Sequence, residues 1–337
     1  MTEDFTSSKL RHFRRTAHVI VKRASVPVST DNFTVTTQSE TVDISDLRIR
    51  FEVKHTLKKH PNTCDIRISN LNKASRGALE QKPLMIYLEA GYDGVNRLLF
   101  QGDAHFVMSK QEGSDWSTLL QIGDGDRTFV SSRVNRSYNA GANVKNVIRD
   151  VAKSMGLTLP SNIEISPLLD AQFTTGIIVH GTARDELTRL LAPYGYNWSI
   201  QHGRLQILQD EEVRADAPII ISEDTGMIGT PEFGSPTHTG KNPHMTVKML
   251  LYPEIQPGRQ VTIRSRDVNG VFRVESVTHQ GDTHGEDWFT EIEVKPIAAD
   301  ASTGKPNTAL GEALFGLSVS QIIADGAMLR LKSGNWW

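Results

Sequence analysis

The stretch Cys64–Phe106, CDIRISNLNKASRGALEQKPLMIYLEAGYDGVNRLLFQGDAHF, decides how the rest of the chain reads. Ile66 and Ile68 alternate with Asp65 and Arg67, and the run ends in Ser69-Asn70-Leu71. A polar, helix-tolerant segment follows. Pro83 then starts Leu84–Tyr92, Asp93-Gly94 supplies a turn, and Leu98–Gly102 begins a return strand. Two-residue periodicity with Asp-Gly between the runs predicts a strand, a short ordered linker and an antiparallel meander. The stretch carries no catalytic motif.

Upstream, the period is also two. His18–Val21 reads as a first strand. In Leu47–Leu57 one face takes Leu47, Ile49, Phe51, Val53, His55 and Leu57, and the other takes Arg48, Arg50, Glu52, Lys54 and Thr56. A half-buried antiparallel strand with one wet face is written this way. Trp116–Ile122 is a further strand, ended by Gly123-Asp124-Gly125-Asp126. About six strands without a long helix predict a sandwich or barrel.

At Asn143 the period changes. Val144, Val147, Ile148, Val151 and Met155 fall at helical spacing, and Gly156 stands where a helix ends. A second helix is predicted after Gly181, with Thr182 and Asp185 as a capping-box-like start and Leu187, Leu190 and Leu191 as its stripe. A hairpin around His202-Gly203 completes a small α/β domain. From Pro218 the period returns to two. Gly226–Pro231 reads as a glycine-rich connection, Met245–Leu251, Val261–Ile263 and Trp288–Val294 as strands, Asn269-Gly270 as a hairpin turn, and Gly281–Gly285 as a polar loop. The expected organisation is an N-terminal arm (1–17), a β unit (18–134), the α/β domain (135–212), a second β unit (213–297), and a linker and C-terminal docking tail (298–337). The fold class is mainly β with an α/β insertion. Trp336 and Trp337 place two indoles in that tail, which suits docking on a partner or on the body of the protein.

Composition narrows the function. Of 337 residues, 38% are hydrophobic and 23% charged, as in ordinary globular chains. Lys plus Arg (37) nearly balance Asp plus Glu (39), so no global charge draws nucleic acid or anionic membrane. Arg11, Arg14, Arg15, Lys22 and Arg23 form one local basic cluster, read as a solvated arm, with contact to an acidic partner as the alternative. Cys64 is the only cysteine, which rules out an internal disulfide. The first residues lack the apolar core of a signal peptide, and no apolar run approaches the ~20 residues of a membrane span. The expectation is a chain made in the cytoplasm, with no membrane anchor.

Motifs for chemistry are lacking. The sequence has no phosphate-binding glycine loop, no nucleophile elbow and no H-E-x-x-H. His279, Asp282 and His284 are the best metal candidates, two imidazoles and a carboxylate within six residues, but the set has no further ligands at recognisable spacing. The pairs Glu223/Asp224 and Glu286/Asp287 are adjacent, so on extended chain they point opposite ways, which disfavours a glycosidase dyad. No catalytic residue, cofactor or resident metal is expected.

Ile68–Leu71, Leu88–Tyr92 and Leu99–Asp103 carry a resemblance. With Gly226–Pro231, Leu250–Gly258 and Val277–Trp288 downstream, the chain resembles the phage tail baseplate hub family, the late-control protein D-like hubs, related to the N-terminal half of type VI secretion spike proteins. The resemblance covers roughly residues 20–296. It implies two tail-tube-like β-barrel units flanking the α/β domain, and a homotrimer forming a pseudo-six-fold ring. One face of that ring would meet tail tube or distal tail proteins and the other the central spike, with transient passage of DNA, in a virion. Under this reading Arg48, Arg50 and Lys54 are candidate lumen or interface residues, and Gly91, Tyr92, Trp336 and Trp337 candidate contacts. Substitution at Ala90-Gly91-Tyr92 is expected to cost assembly before fold. A cell-envelope carbohydrate-binding or lytic tail module is the alternative.

Overall fold

The computed structural model describes residues 14–23, 41–57, 61–80, 84–93, 95–124, 131–160, 163, 170–209, 212–233 and 244–297. The chain is mainly β and divides into two compact units. One takes the residues up to Asp210 with Leu251–Glu254 and Val277–Thr290; the other takes Glu211–Leu250, Ile255–Ser276 and the residues from Glu291 onward.

The first unit is built on β1 (Arg15–Arg23), β2 (Thr41–Ile44), β3 (Ile49–Thr56), β4 (Thr63–Ser69), β5 (Leu84–Tyr92), β6 (Val95–Glu112) and β7 (Asp115–Gly123). With β16 (Asn269–Asp282) the order is β16–β3–β4–β7–β6–β5–β1–β2. Among the described residues no pairing joins β2 to β16, so this path is open. Alternation drives it: Ile49, Phe51, Val53 and His55 of β3 are buried and face the same core as Cys64, Ile66 and Ile68 of β4.

The quoted stretch is not a simple meander. β4 pairs with β3 and β7, not with β5. The linker between them is helix α1 (Lys73–Leu79), capped by Asn72, whose side chain accepts the Ser75 N–H at 2.8 Å. It carries the chain away from β4, and β7 returns to fill the place beside it. Strand β6 bulges twice, near Leu99 and near His105. The first bulge lets the consecutive Leu99 and Phe100 both turn inward.

Residues 133–209 carry a core of their own. Helix α2 (Val144–Ser154) packs Val147, Ile148 and Val151 against Leu187, Leu190 and Leu191 of α3 (Ala183–Leu191), beside the pairs β8 (Arg133–Tyr138)–β9 (Ile177–Thr182) and β10 (Tyr196–Gln201)–β11 (Arg204–Gln209). Gly156, at φ 70°, ends α2 as expected: Leu157 N–H bonds Ala152 O and Gly156 N–H bonds Lys153 O. The start of α3 differs from the capping box. Thr182 makes no side-chain cap, and its hydroxyl donates to the Asp185 carboxylate instead.

In the second unit the order is β13 (Met227–Phe233), β14 (Met245–Leu250), β17 (Trp288–Pro296), β16, with β15 (Gln260–Arg264) on β16 and β12 (Ile219–Ser222) parallel to β15. Strands β16 and β17 contribute to both units. Two expectations are corrected here. Gly226–Pro231 is not a connection: Met227–Pro231 are strand, paired with β14 across an irregularity. Asn269-Gly270 is not the turn either, because both residues pair with β15. The reversal falls at Ser265–Val268, where Ser265 Oγ bonds Val268 N–H and its carbonyl.

Candidate functional site

The outer face of β3 carries the charges the alternation promised, and Arg48 and Lys54 among them are already engaged. Arg48 grips Asp282 with Nε at 3.0 and 3.2 Å and Nη2 at 2.6 Å. Burial acts to raise the Asp282 carboxyl pKa, yet Arg48, the His284 N–H and the charge of Arg50 outweigh it and hold it below the usual carboxylate value. Lys54 pairs with Glu52 at 2.7 Å. The register sets Arg50 opposite Arg67 and Glu52 opposite Asp65. With Gln280 and Asp287 these four line an open groove of about 280 Å³. The face is therefore a charge mosaic, not a basic stripe. Arg15 at the start of β1 reaches the Gly285 and Glu286 carbonyls, and Lys22 sits over the Tyr87 ring. Arg11 lies outside the described residues.

The structure does not bring His279, Asp282 and His284 together as ligands. His279 is buried and shares a hydrogen bond with Thr290 at 2.8 Å, Asp282 is held by Arg48, and His284 bonds the neighbouring Thr283 hydroxyl. Among the described residues no three His, Cys, Asp or Glu side chains group to hold a metal ion.

Gly91 and Tyr92 stand at the end of β5 in the first unit, Gly91 buried and Tyr92 half-buried. Gly91 is buried in β5 between β1 and β6. The Tyr92 ring packs edge-on to Trp288, and burial pushes its hydroxyl pKa up to about 12 against the Leu251 backbone that bonds it. Trp336 and Trp337 lie outside the described residues.

Sequence reasoning missed a buried polar cluster. Asn62, 1% exposed, donates to Ile200 O (2.8 Å) and Gln201 Oε1 (2.9 Å) and accepts the Thr56 N–H (2.9 Å). Gln201 Nε2 reaches Thr56 O, Gln101 Nε2 reaches His202 O, and Asp124 Oδ1 takes the Gly203 N–H at 2.7 Å. Together they clamp the β10–β11 tip onto the ends of β3, β4 and β7 and onto Gln101 within β6. Burial raises the Asp124 pKa to about 6, against the hairpin amides and Asn62 that favour its charge. Beside it, the His55 ring lies 5.1 Å from His202 and 6.1 Å from His279. The available signal was phase: His55 occupies an apolar-face position, and Gly123-Asp124 reads as a turn only if its carboxylate is solvated.

Comparison with known proteins places this architecture. The structure resembles a 43 kDa prophage MuSo2 tail protein from Shewanella oneidensis (TM-score 0.56, 11% identity, 84% of this chain and 97% of that one). It also resembles a tail protein from Neisseria meningitidis (TM-score 0.54, 11% identity, 84% and 97%). A chain of the Francisella PdpA–VgrG complex matches at TM-score 0.55 with 7% identity, over 85% of this chain and 59% of that one. At these identities the likeness is one of fold. No curated protein matches the sequence. The family described as Baseplate hub gp41 matches residues 30–294, most of the chain, and the chain belongs to that family.

Proposed function

We propose that the chain is a non-enzymatic structural subunit of a phage baseplate hub. It assembles as a homotrimer whose two tube-like β units, 18–134 and 213–297, flank the α/β domain at 135–212 and together make a pseudo-six-fold ring. That ring joins the tail tube to the central spike and lets DNA pass. The family match over residues 30–294 carries the reading. The mosaic on β3 bears on the DNA path. With Arg50 and Arg67 set beside Glu52 and Asp65, this face offers DNA little net charge, so its contacts with a passing duplex are brief and screened by salt.

The test is the mass of the full chain in solution by light scattering, with an assay on purified peptidoglycan. A trimer inactive on peptidoglycan supports the hub. A monomer that cleaves or binds the wall polymer overturns it in favour of an envelope-attacking module.

A further inference from the structure

Three imidazoles from three elements meet at the β10–β11 tip. His55 comes from β3, His279 from β16 and His202 from the hairpin turn. His55 is 2% exposed and His279 1%. His55 donates Nε2–H to Leu99 O at 3.0 Å and packs its ring on Phe100. His202 occupies the turn at φ 51°, its carbonyl held by Gln101. The same tip is fixed by Asn62, Gln201 and Asp124, so one small region holds the hairpin and houses every one of these titratable groups.

We propose that this cluster is an acid-operated catch: protonation of the packed imidazoles releases the β10–β11 hairpin from the ends of β3 and β7 and from Gln101 of β6 while the sheet itself stays folded. Closed, the rings fit because they are neutral. A proton on His55 or His279 puts a cation in a fully buried site, and protons on both put two cations within ring-contact distance. Opening the hairpin hydrates all three rings and separates His202 from the other two.

The sign follows from the groups facing one another. His55 and His279 act on each other and feel His202 from the turn; Asp124 faces the tip from the end of β7; Gln101, Asn62 and Thr290 are neutral. Burial, then His202, lowers the His55 pKa to about 3, and burial takes His279 well down too. A depressed imidazole favours the closed state above the open-state pKa of about 6.5 and loses that advantage as pH falls below it. Asp124 has the opposite sign, because a carboxyl titrating near 6 when closed gains in the closed state as pH drops through that value. Between pH 7 and pH 5 each imidazole multiplies the opening equilibrium about 25-fold, and Asp124 divides it about 10-fold. Two imidazoles against one carboxyl leave a net increase of about 60-fold.

Hydrogen exchange with mass spectrometry on the full chain, corrected for intrinsic rates, tests this. Protection of peptides within 196–209 is expected to fall about 60-fold from pH 7 to pH 5, while peptides in 63–69 and 117–123 keep theirs. Asp124→Asn removes the opposing titration and steepens the fall to several hundred-fold. His55→Phe, which keeps a ring against Phe100, cuts the wild-type fall to about 2- to 3-fold. If protection at 196–209 does not change with pH, or falls in step with the sheet peptides, the catch does not exist.

Discussion

Replacing Gly91 by alanine is a severe test of where the first unit is rigid. A Cβ built on Gly91 runs into the Val95 carbonyl oxygen, with the Val95 carbonyl carbon at 3.0 Å and Asn96 Cα at 3.1 Å. All three atoms are backbone, so no rotamer relieves the clash. The end of the β5–β6 hairpin has to part, which disturbs the Gly91–Asn96 and Tyr92–Val95 pairs and the Thr16–Asn96 side-chain bond at 2.7 Å. Overpacking costs about 1–3 kcal/mol, and two weakened ladder bonds add about 1 kcal/mol each. The sum, about 3–5 kcal/mol, is a large share of the roughly 5–15 kcal/mol that holds a domain together. Loss of fold before loss of assembly is therefore the expected outcome, the reverse of the order expected from the sequence. Urea unfolding followed by tryptophan fluorescence checks it, with Val95→Ala as control: that side chain is 64% exposed in the same hairpin, and its loss should shift stability by less than about 0.5 kcal/mol. A Gly91→Ala protein with a wild-type midpoint and altered oligomeric mass would refute the reasoning.

Gly281→Ala should be destabilising by about 2–3 kcal/mol in the same assay, because its Cβ would lie 2.6 Å from Phe51 Cε1 and 2.9 Å from Trp288 Cε3 inside a packed aromatic pair. Asp282→Asn should cost about 1 kcal/mol at pH 7, discounted because the Arg48 side chain is 43% exposed, and the loss should shrink in 1 M salt. Cys64 is fully buried, and burial with the adjacent Asp65 charge pushes its thiol pKa up. The native protein should resist an aromatic disulfide reagent for hours, with reaction appearing at the rate of unfolding.

What could be read in advance followed from periodicity. The two faces of β3, the ends of α2 and the His202-Gly203 turn are all local, and each emerged at or near its expected place. The pairing of β4 with β7 was not legible, since alternation fixes which side of a strand is apolar but not which strand lies beside it. The role of Asn269-Gly270 was lost to a competing local device, the Ser265 hydroxyl, which makes its own turn four residues earlier. The polar cluster was hidden for another reason. Asn62, Asp124 and Gln201 are far apart in sequence, and each alone has the profile of a surface or turn residue. Only the fold reveals that their partners are one another.

The like-charge rows on β3 and β4 raise the matter of slippage. Shifting β3 by two residues along β4 would keep every apolar side chain on the core side, yet would set Glu52 opposite Arg67 and Lys54 opposite Asp65, a better electrostatic match than the native pairing. Charge thus favours a wrong alignment. The native one is held by bonds outside the β3–β4 pair of charges: the Thr56–Asn62 bond at one end, and at the other the Thr283 hydroxyl, which accepts the Ile49 N–H, beside the Arg48–Asp282 ion pair. Asn62, which also anchors the distant hairpin, is thus one of the groups that hold β3 in its native register.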